Sequence, residues 1–237
     1  MQRISERSIS REIFSGLYSP VPLAARADGR GFKKLLEGRK KPYDFDFACS
    51  MVRATESIFF DSGLAPALAF TFSDEVSLIY LRPPLAGRVE KIDSLVAGHL
   101  SAALSLGLGR LVTMDCRTIP LCREEILRYL VERQDEAWRN HVFSYGFYML
   151  RQEGLNPAQS MARLRGLSES QIHELVFERG INLAKTPTWE RRGVMVYRRG
   201  ERLESNWDLP LLSSAEGALF LEKVSGVPFE KQQPFHE

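Results

Sequence analysis

The segment from Ala67 to Leu81 constrains the fold more than any other part of the chain. An apolar run, Ala67 to Phe72, breaks at Ser73-Asp74-Glu75 and resumes as Val76 to Leu81. That pattern reads as a β-hairpin with acids at its tip. A third apolar run, Leu23 to Ala27, ends at Asp28-Gly29, a strong chain-reversal signal. If the runs are neighbours in one sheet, Asp28 and Asp74 face each other at its edge. Each acid alone has an ordinary reading, as a turn residue, a helix N-cap or a solvated tip. Together, two converging carboxylates can hold a pair of Mg²⁺ ions, which prefer oxygen ligands and usually take one or two carboxylates plus substrate phosphates. Phosphoryl and nucleotidyl groups are moved by such an arrangement.

The remaining periodicity alternates helices with strands. Phe32 to Leu36 reads as a brief helix closed by Gly38, and Phe45 to Phe60 as an amphipathic one ending at Ser62-Gly63. Val89 to Leu106 is another helix, Leu111 to Met114 a short strand extended or broken by Asp115, and Glu124 to Gln152 a long helix. Trp138, Phe143, Tyr145, Phe147 and Tyr148 make that long helix a buried or subunit-facing element rather than a base-stacking platform. Two helices start at Pro157 and Ser168, and the last strand is Val194 to Tyr197. The tail is weakly patterned. Within residues 1–20, Arg3, Arg7 and Arg11 alternate with Ile9, Ile13 and Leu17 at helical spacing, which suggests a short basic amphipathic helix. The fold class is α/β, an antiparallel sheet with helices on one face. It forms a single unit over 1–237, with an arm at 1–20, a sheet-bearing core at 21–135 and a helix-and-strand extension at 136–237.

Composition removes several alternatives. A chain of 237 residues can bury a full core, and a formal net charge of +2 means that an RNA-binding surface must come from local clustering. No apolar run is long enough to span a bilayer, and no basic segment with an apolar core opens the chain. Three cysteines, Cys49, Cys116 and Cys122, lack CxxC spacing, so a structural zinc site is not expected and a cytoplasmic location fits. His99, His141, His173 and His236 are scattered, and GxxxxGK[ST] is absent.

From Arg26 to about Leu81 the chain resembles the tRNA(His) guanylyltransferase family and its tRNA 5′-end repair relatives. Four segments carry the likeness: Arg26-Ala27-Asp28-Gly29-Arg30-Gly31-Phe32, Lys41-Pro42-Tyr43-Asp44, the helix from Phe45, and Ser73-Asp74-Glu75. Arg88-x-x-Lys91, Gly154-Leu155-Asn156-Pro157 and Arg163-Leu164-Arg165-Gly166 extend it. Eukaryotic members carry His-Ile-Asn-Asn where this chain has Trp138-Arg139-Asn140-His141, so the likeness is to the archaeal and bacterial members.

The resemblance implies a polymerase-type palm and 3′-to-5′ nucleotide addition to tRNA, template-dependent, with ATP or GTP activating the 5′ end. It further implies two Mg²⁺ ions, GTP and ATP as substrates, and a homotetramer. Asp28 and Asp74 would be the metal ligands, with the Gly29 carbonyl as a third, because a residue without a side chain lets its backbone approach an ion. Glu75 would orient Asp74 or a metal-bound water, or be a solvated tip acid. Arg26, Arg30, Gly31, Phe32, Lys41, Arg88 and Lys91 would hold the triphosphate by charge and backbone, and Asp44 and Ser73 would meet the base. For tRNA, the candidates are Arg139, Asn140 and His141, and the cluster Arg191, Arg192, Arg198 and Arg199. Two other classes stay open: a purine nucleotide cyclase on a similar scaffold, and a non-catalytic tRNA-binding module.

Overall fold

The computed structural model describes residues 12–228. Its sheet has six strands, β1 (Leu23–Arg30), β2 (Leu68–Phe72), β3 (Glu75–Tyr80), β4 (Thr113–Pro120), β5 (Val194–Arg199) and β6 (Arg202–Asn206). They lie in the order β4-β1-β3-β2-β5-β6, and every neighbouring pair is antiparallel. The helices are α1 (Phe32–Leu35), α2 (Phe45–Asp61), α3 (Val89–Leu108), α4 (Arg123–Gln152), α5 (Pro157–Leu164), α6 (Glu169–Phe177), α7 (Thr188–Arg192) and α8 (Ala215–Ser225). From β1 to β4 the chain traces the split β-α-β-β-α-β unit. None of the described helices is long and apolar enough to cross a membrane.

Alternation along the strands sends side chains to two faces. Leu23, Ala25, Ala27, Val76 and Leu78 pack beneath α2 and α3, against Met51, Ile58, Ile92, Val96 and Leu100. Ala24, Phe70, Ile79 and Met195 pack on the opposite face against Ile126, Leu130 and Ala137 of α4 and Leu221 of α8. Helices therefore cover both faces, whereas the sequence pattern led us to expect one. The cause is β6 and α8, whose polar or weakly periodic sequences read as tail, and α4, whose first half lies on the sheet. A third core joins the second half of α4 to α5 and α6 through Val142, Met149, Leu150, Leu164, Ile172 and Val176.

Gln134 links these layers. It is 2% exposed, its amide nitrogen donates to the carbonyls of Arg192 (3.4 Å) and Pro210 (3.2 Å), and its oxygen accepts from Leu212 N (2.7 Å). One side chain so satisfies three backbone groups that flank β5, β6 and the start of α8. Such groups, left buried and unpaired, cost about 1–3 kcal/mol each.

Several boundaries differ from the sequence reading. β1 continues past Ala27 to Arg30, and reversal comes at Gly31, whose φ of 73° suits glycine. Asp115 lies inside β4 rather than breaking it. Of the expected N-terminal helix, residues 1–11 lie outside the described residues. Glu12 to Pro20 forms turns and one bridge, Tyr18 with Arg88.

Candidate active site

Antiparallel register gathers the acids. Asp28 on β1 lies opposite Glu75 on β3 and Asp115 on β4. Ala24, Arg26 and Asp28 alternate onto the α4 face of the sheet, as do Asp115 and Arg117 beside Ile119. Asp74 is the second residue of a two-residue hairpin turn whose first, Ser73, holds φ at 51°. The Ser73 hydroxyl donates to Asp74 Oδ1 (3.1 Å), and Gly29 N donates to Asp28 Oδ1 (3.1 Å). Gly29 is required by packing, since a Cβ there would sit 2.3 Å from the ring of Phe32. Burial raises the Asp74 carboxyl above its ordinary value, the Asp28 charge pushes it the same way, and the Ser73 hydrogen bond opposes both.

Glu75 is no solvated tip acid. Its carboxylate pairs with Arg133 of α4 at 3.3 Å, with side chains 12% and 17% exposed. Burial raises its carboxyl, while the charges of Arg133 and Arg26 partly counter the rise. Ser77 Oγ lies 2.9 Å from Tyr129 Oη and 3.4 Å from Glu75 Oε1, so α4 is bolted to the sheet directly below the acids. The sequence reading missed Arg133, because a pair 58 residues apart leaves no local signal. It also missed Asp115, whose charge is paired with Arg117 at 3.0 Å. The alternation Thr113, Asp115, Arg117, Ile119 was the available clue.

Beside the hairpin lies a cavity of about 350 Å³, bounded by Thr71, Phe72 and Ser73, by the Lys41-Pro42-Tyr43-Asp44 segment, and by Asn140, Ser144 and Tyr148 one turn apart on α4. Lys33, Arg39, Lys40 and Lys41 also line it, and Lys41 Nζ sits 5.3 Å from the Tyr148 ring centroid. Here one expected contact changes. Asp44 caps α2: Oδ1 accepts from Phe47 N (2.8 Å) and Arg39 Nη1 (3.2 Å), and Oδ2 from Lys40 N (3.1 Å). Burial would raise its carboxyl, but those hydrogen bonds outweigh it and hold the group below the ordinary range. Asp44 thus shapes the cavity wall, and its carboxylate is already committed. Asn140, expected at a tRNA surface, lines this cavity instead and makes no side-chain hydrogen bond among the described residues.

Other expected residues are placed apart. Arg26, Arg30, Gly31 and Phe32 lie with the acids, Phe32 as a buried ring. Arg88 and Lys91 begin α3, beyond the Tyr80 end of β3, whereas the acids sit at its Glu75 end; one chain does not bring them together. His141 is fully buried among Tyr43, Trp138 and Tyr145, with Nε2 3.0 Å from Thr186 Oγ1, so in this fold it packs rather than faces RNA. Burial, helped by the Arg191 charge, lowers its pKa to about 4. Arg139 is paired with Glu136 at 2.6 Å. The arginine run divides along β5. Arg191 and Arg192, at one end, donate to the carbonyls of Thr186 and Leu209. Arg198, at the other, donates to Phe59 O and stacks over the Phe60 ring at 5.0 Å, and Arg199 lies 3.7 Å from Glu204.

Among the described residues no three His, Cys, Asp or Glu side chains converge tightly enough to hold a metal alone. The donor set still fits Mg²⁺. Asp28 and Asp74 offer hard oxygens, their mutual repulsion would be relieved by a cation, and Mg²⁺ ordinarily completes its shell with phosphates and water.

A sequence profile described as tRNAHis guanylyltransferase matches residues 10–124. The chain is 23% identical over 245 residues to tRNA(His) guanylyltransferase 1 of Arabidopsis thaliana, covering 95% of this chain but only 43% of that protein. It is 27% identical to a probable tRNA(His) guanylyltransferase of Drosophila melanogaster, over 76% of this chain and 68% of the relative. Among solved structures, a bacterial tRNA(His) guanylyltransferase (Thg1)-like protein in complex with ATP superposes with a TM-score of 0.77 at 22% identity, covering 94% and 98% of the two chains. A bacterial protein of the same description in complex with GTP gives 0.67, also at 22% identity, covering 94% and 97%. The six-stranded sheet is thus the palm-type fold of those proteins, and over residues 10–124 the chain is similar to the tRNA(His) guanylyltransferases, a family of nucleotidyltransferases.

Proposed function

We propose that this chain is a Mg²⁺-dependent nucleotidyltransferase that adds nucleotides, chiefly guanylate, to the 5′ end of tRNA in the 3′-to-5′ direction under template control. The observation that carries the reading is the meeting of Asp28 and Asp74 at one end of the central strands β1, β2 and β3, beside a cavity of nucleoside size with a basic rim. Bacterial relatives of the same fold bind ATP and GTP, and we assign both nucleotides to this chain as substrates.

Asp28 and Asp74 would hold the metal, and Gly29, with no side chain, leaves its carbonyl open to it. Mg²⁺ bound there supplies Lewis-acid activation of a hydroxyl and neutralises charge on a triphosphate. Ser73 holds the Asp74 carboxylate in place, and Arg133 with Arg26 partly offsets the burial that raises the Glu75 carboxyl beneath the site. Lys33, Lys40 and Lys41 at the cavity rim would take the triphosphate by charge-assisted hydrogen bonds. The order of events follows the family: a nucleoside triphosphate joins its α-phosphate to the 5′-monophosphate and releases pyrophosphate, the 3′-hydroxyl of the incoming nucleotide attacks the activated 5′-phosphate and expels the nucleoside monophosphate, and pyrophosphate is later hydrolysed from the new 5′-triphosphate. We assign the chain to the cytoplasm and to a homotetramer. Exposed Ile13, Leu17, Tyr18 and Leu95 supply apolar surface for such an assembly, which light scattering would detect.

The assay is incorporation of labelled GTP into 5′-monophosphorylated tRNA with ATP and Mg²⁺. Asp28→Asn and Asp74→Asn should each lower incorporation by on the order of a hundredfold or more while remaining folded. Full incorporation by either variant would remove it from the metal site.

A further inference from the structure

A second, smaller cavity, of about 240 Å³, opens on the other flank of the acidic edge, lined by Arg30, Lys34 and Arg110 with Phe32, Leu111 and Val112. It contains three cations and no acid. None of the three forms a salt bridge among the described residues. All three are exposed, and Arg110 is fixed at one point by donating from Nη1 to Leu35 O (3.4 Å). Position gives the cavity its meaning. Arg30 lies two residues beyond Asp28 on β1 and on the same sheet face, about 7 Å along the strand. Consecutive lysines of the one-turn helix α1 serve opposite sides: Lys33 lines the nucleoside cavity and Lys34 lines this one. The catalytic edge is thus flanked by two basic cavities, each contributed partly by α1.

We infer that the Arg30–Lys34–Arg110 cavity binds a backbone phosphate of the RNA strand whose 5′ end reacts at the acids. A reaction that joins two phosphate-bearing substrates needs two phosphate sites around one centre, and the nucleoside cavity supplies only one. Three unpaired cations around a concavity of this volume match a single phosphodiester or terminal phosphate. The exposed side chain of Leu111, 88% accessible, offers an apolar contact for the adjoining sugar or base. The inference rests on the proposed transferase reading for the identity of the strand, and its test reads binding rather than turnover, so the two can fail separately.

The test is equilibrium binding of 5′-monophosphorylated tRNA to the full chain in EDTA, across a salt series, for the parent, Lys34→Gln, Arg110→Gln and the double variant. A parallel titration uses a fluorescent ATP analogue. The double variant should weaken tRNA binding roughly tenfold and reduce the log–log salt slope by about two, one per cation removed, with ATP-analogue affinity unchanged. Unchanged tRNA affinity and slope would make these residues a solvated basic face and overturn the inference. Lost ATP-analogue affinity with tRNA binding intact would assign the cavity to a free nucleotide's phosphates and overturn it equally. Thermal melting of each variant, with both positions on the surface, separates loss of contact from loss of fold.

Discussion

At the residue scale, Asp74 is held in tension between function and stability. Its carboxyl is raised by burial and by Asp28, so the charged form is disfavoured in the folded chain. An acid with a raised folded pKa contributes stability below its unfolded value, and that contribution is lost as pH rises through the folded value. Asp74→Asn should therefore melt at a higher temperature than the parent at pH 7, and the advantage should vanish as pH falls below the ordinary value of 3.8. Added Mg²⁺ should raise the melting temperature of the parent and leave that of Asp28→Asn nearly unmoved. A melting temperature indifferent to both substitution and metal would mean that the two carboxylates do not repel each other. Both acids were legible in sequence because each stands where an apolar run stops. Glu75 was less so. Its burial and its partner Arg133 depend on where α4 crosses the sheet, which no local spacing encodes.

At the element scale, the segment from Arg39 to Asp44 shows how a motif residue can act through structure. Asp44 sits in a family-like motif and was read as a base contact, but its oxygens cap α2 and gather the Arg39 and Lys40 loop. Asp44→Ala should cost about 1 kcal/mol of stability as a lost cap. It should also raise KM for the nucleotide while leaving kcat nearly unchanged, because the cavity wall loosens and the acids stay in place. A drop in kcat at constant KM would contradict this and give the residue a part in the chemical step itself. The helices α2 and α3 were visible from their 3.6-residue periodicity, α4 as a long segment dense in aromatic residues, and the β2–β3 hairpin from its polar break. β6 and α8 were not, because Arg202–Asn206 is strand only by virtue of pairing with β5, and α8 is short and runs Leu219, Phe220 and Leu221 consecutively rather than at helical spacing.

At the scale of the whole molecule, the C-terminal third completes the sheet. β5 pairs with β2 and carries β6 at its side, and Gln134 fastens that extension to α4. Gln134→Leu fills a similar volume but leaves the Arg192, Pro210 and Leu212 backbone groups unpaired. It should lower unfolding free energy by about 2–4 kcal/mol in urea titrations with an unchanged m-value. A loss below about 0.5 kcal/mol would show that water replaces the amide and that the layers are joined by apolar packing alone. A basic cluster suggested by Arg191, Arg192, Arg198 and Arg199 is divided by the length of β5, a separation that sequence proximity concealed. Basic surface gathers instead around α1, from residues scattered over the first half of the chain.

The central claim is that the paired acids and their flanking cavities serve templated growth at an RNA 5′ end. Labelled GTP, ATP and Mg²⁺ should be offered to two 5′-monophosphorylated tRNA(His) transcripts, one presenting C opposite the added position and the other A. Addition opposite C alone, abolished by Asp28→Asn, is the predicted result. Equal addition opposite A, or no addition to either transcript, would contradict the account.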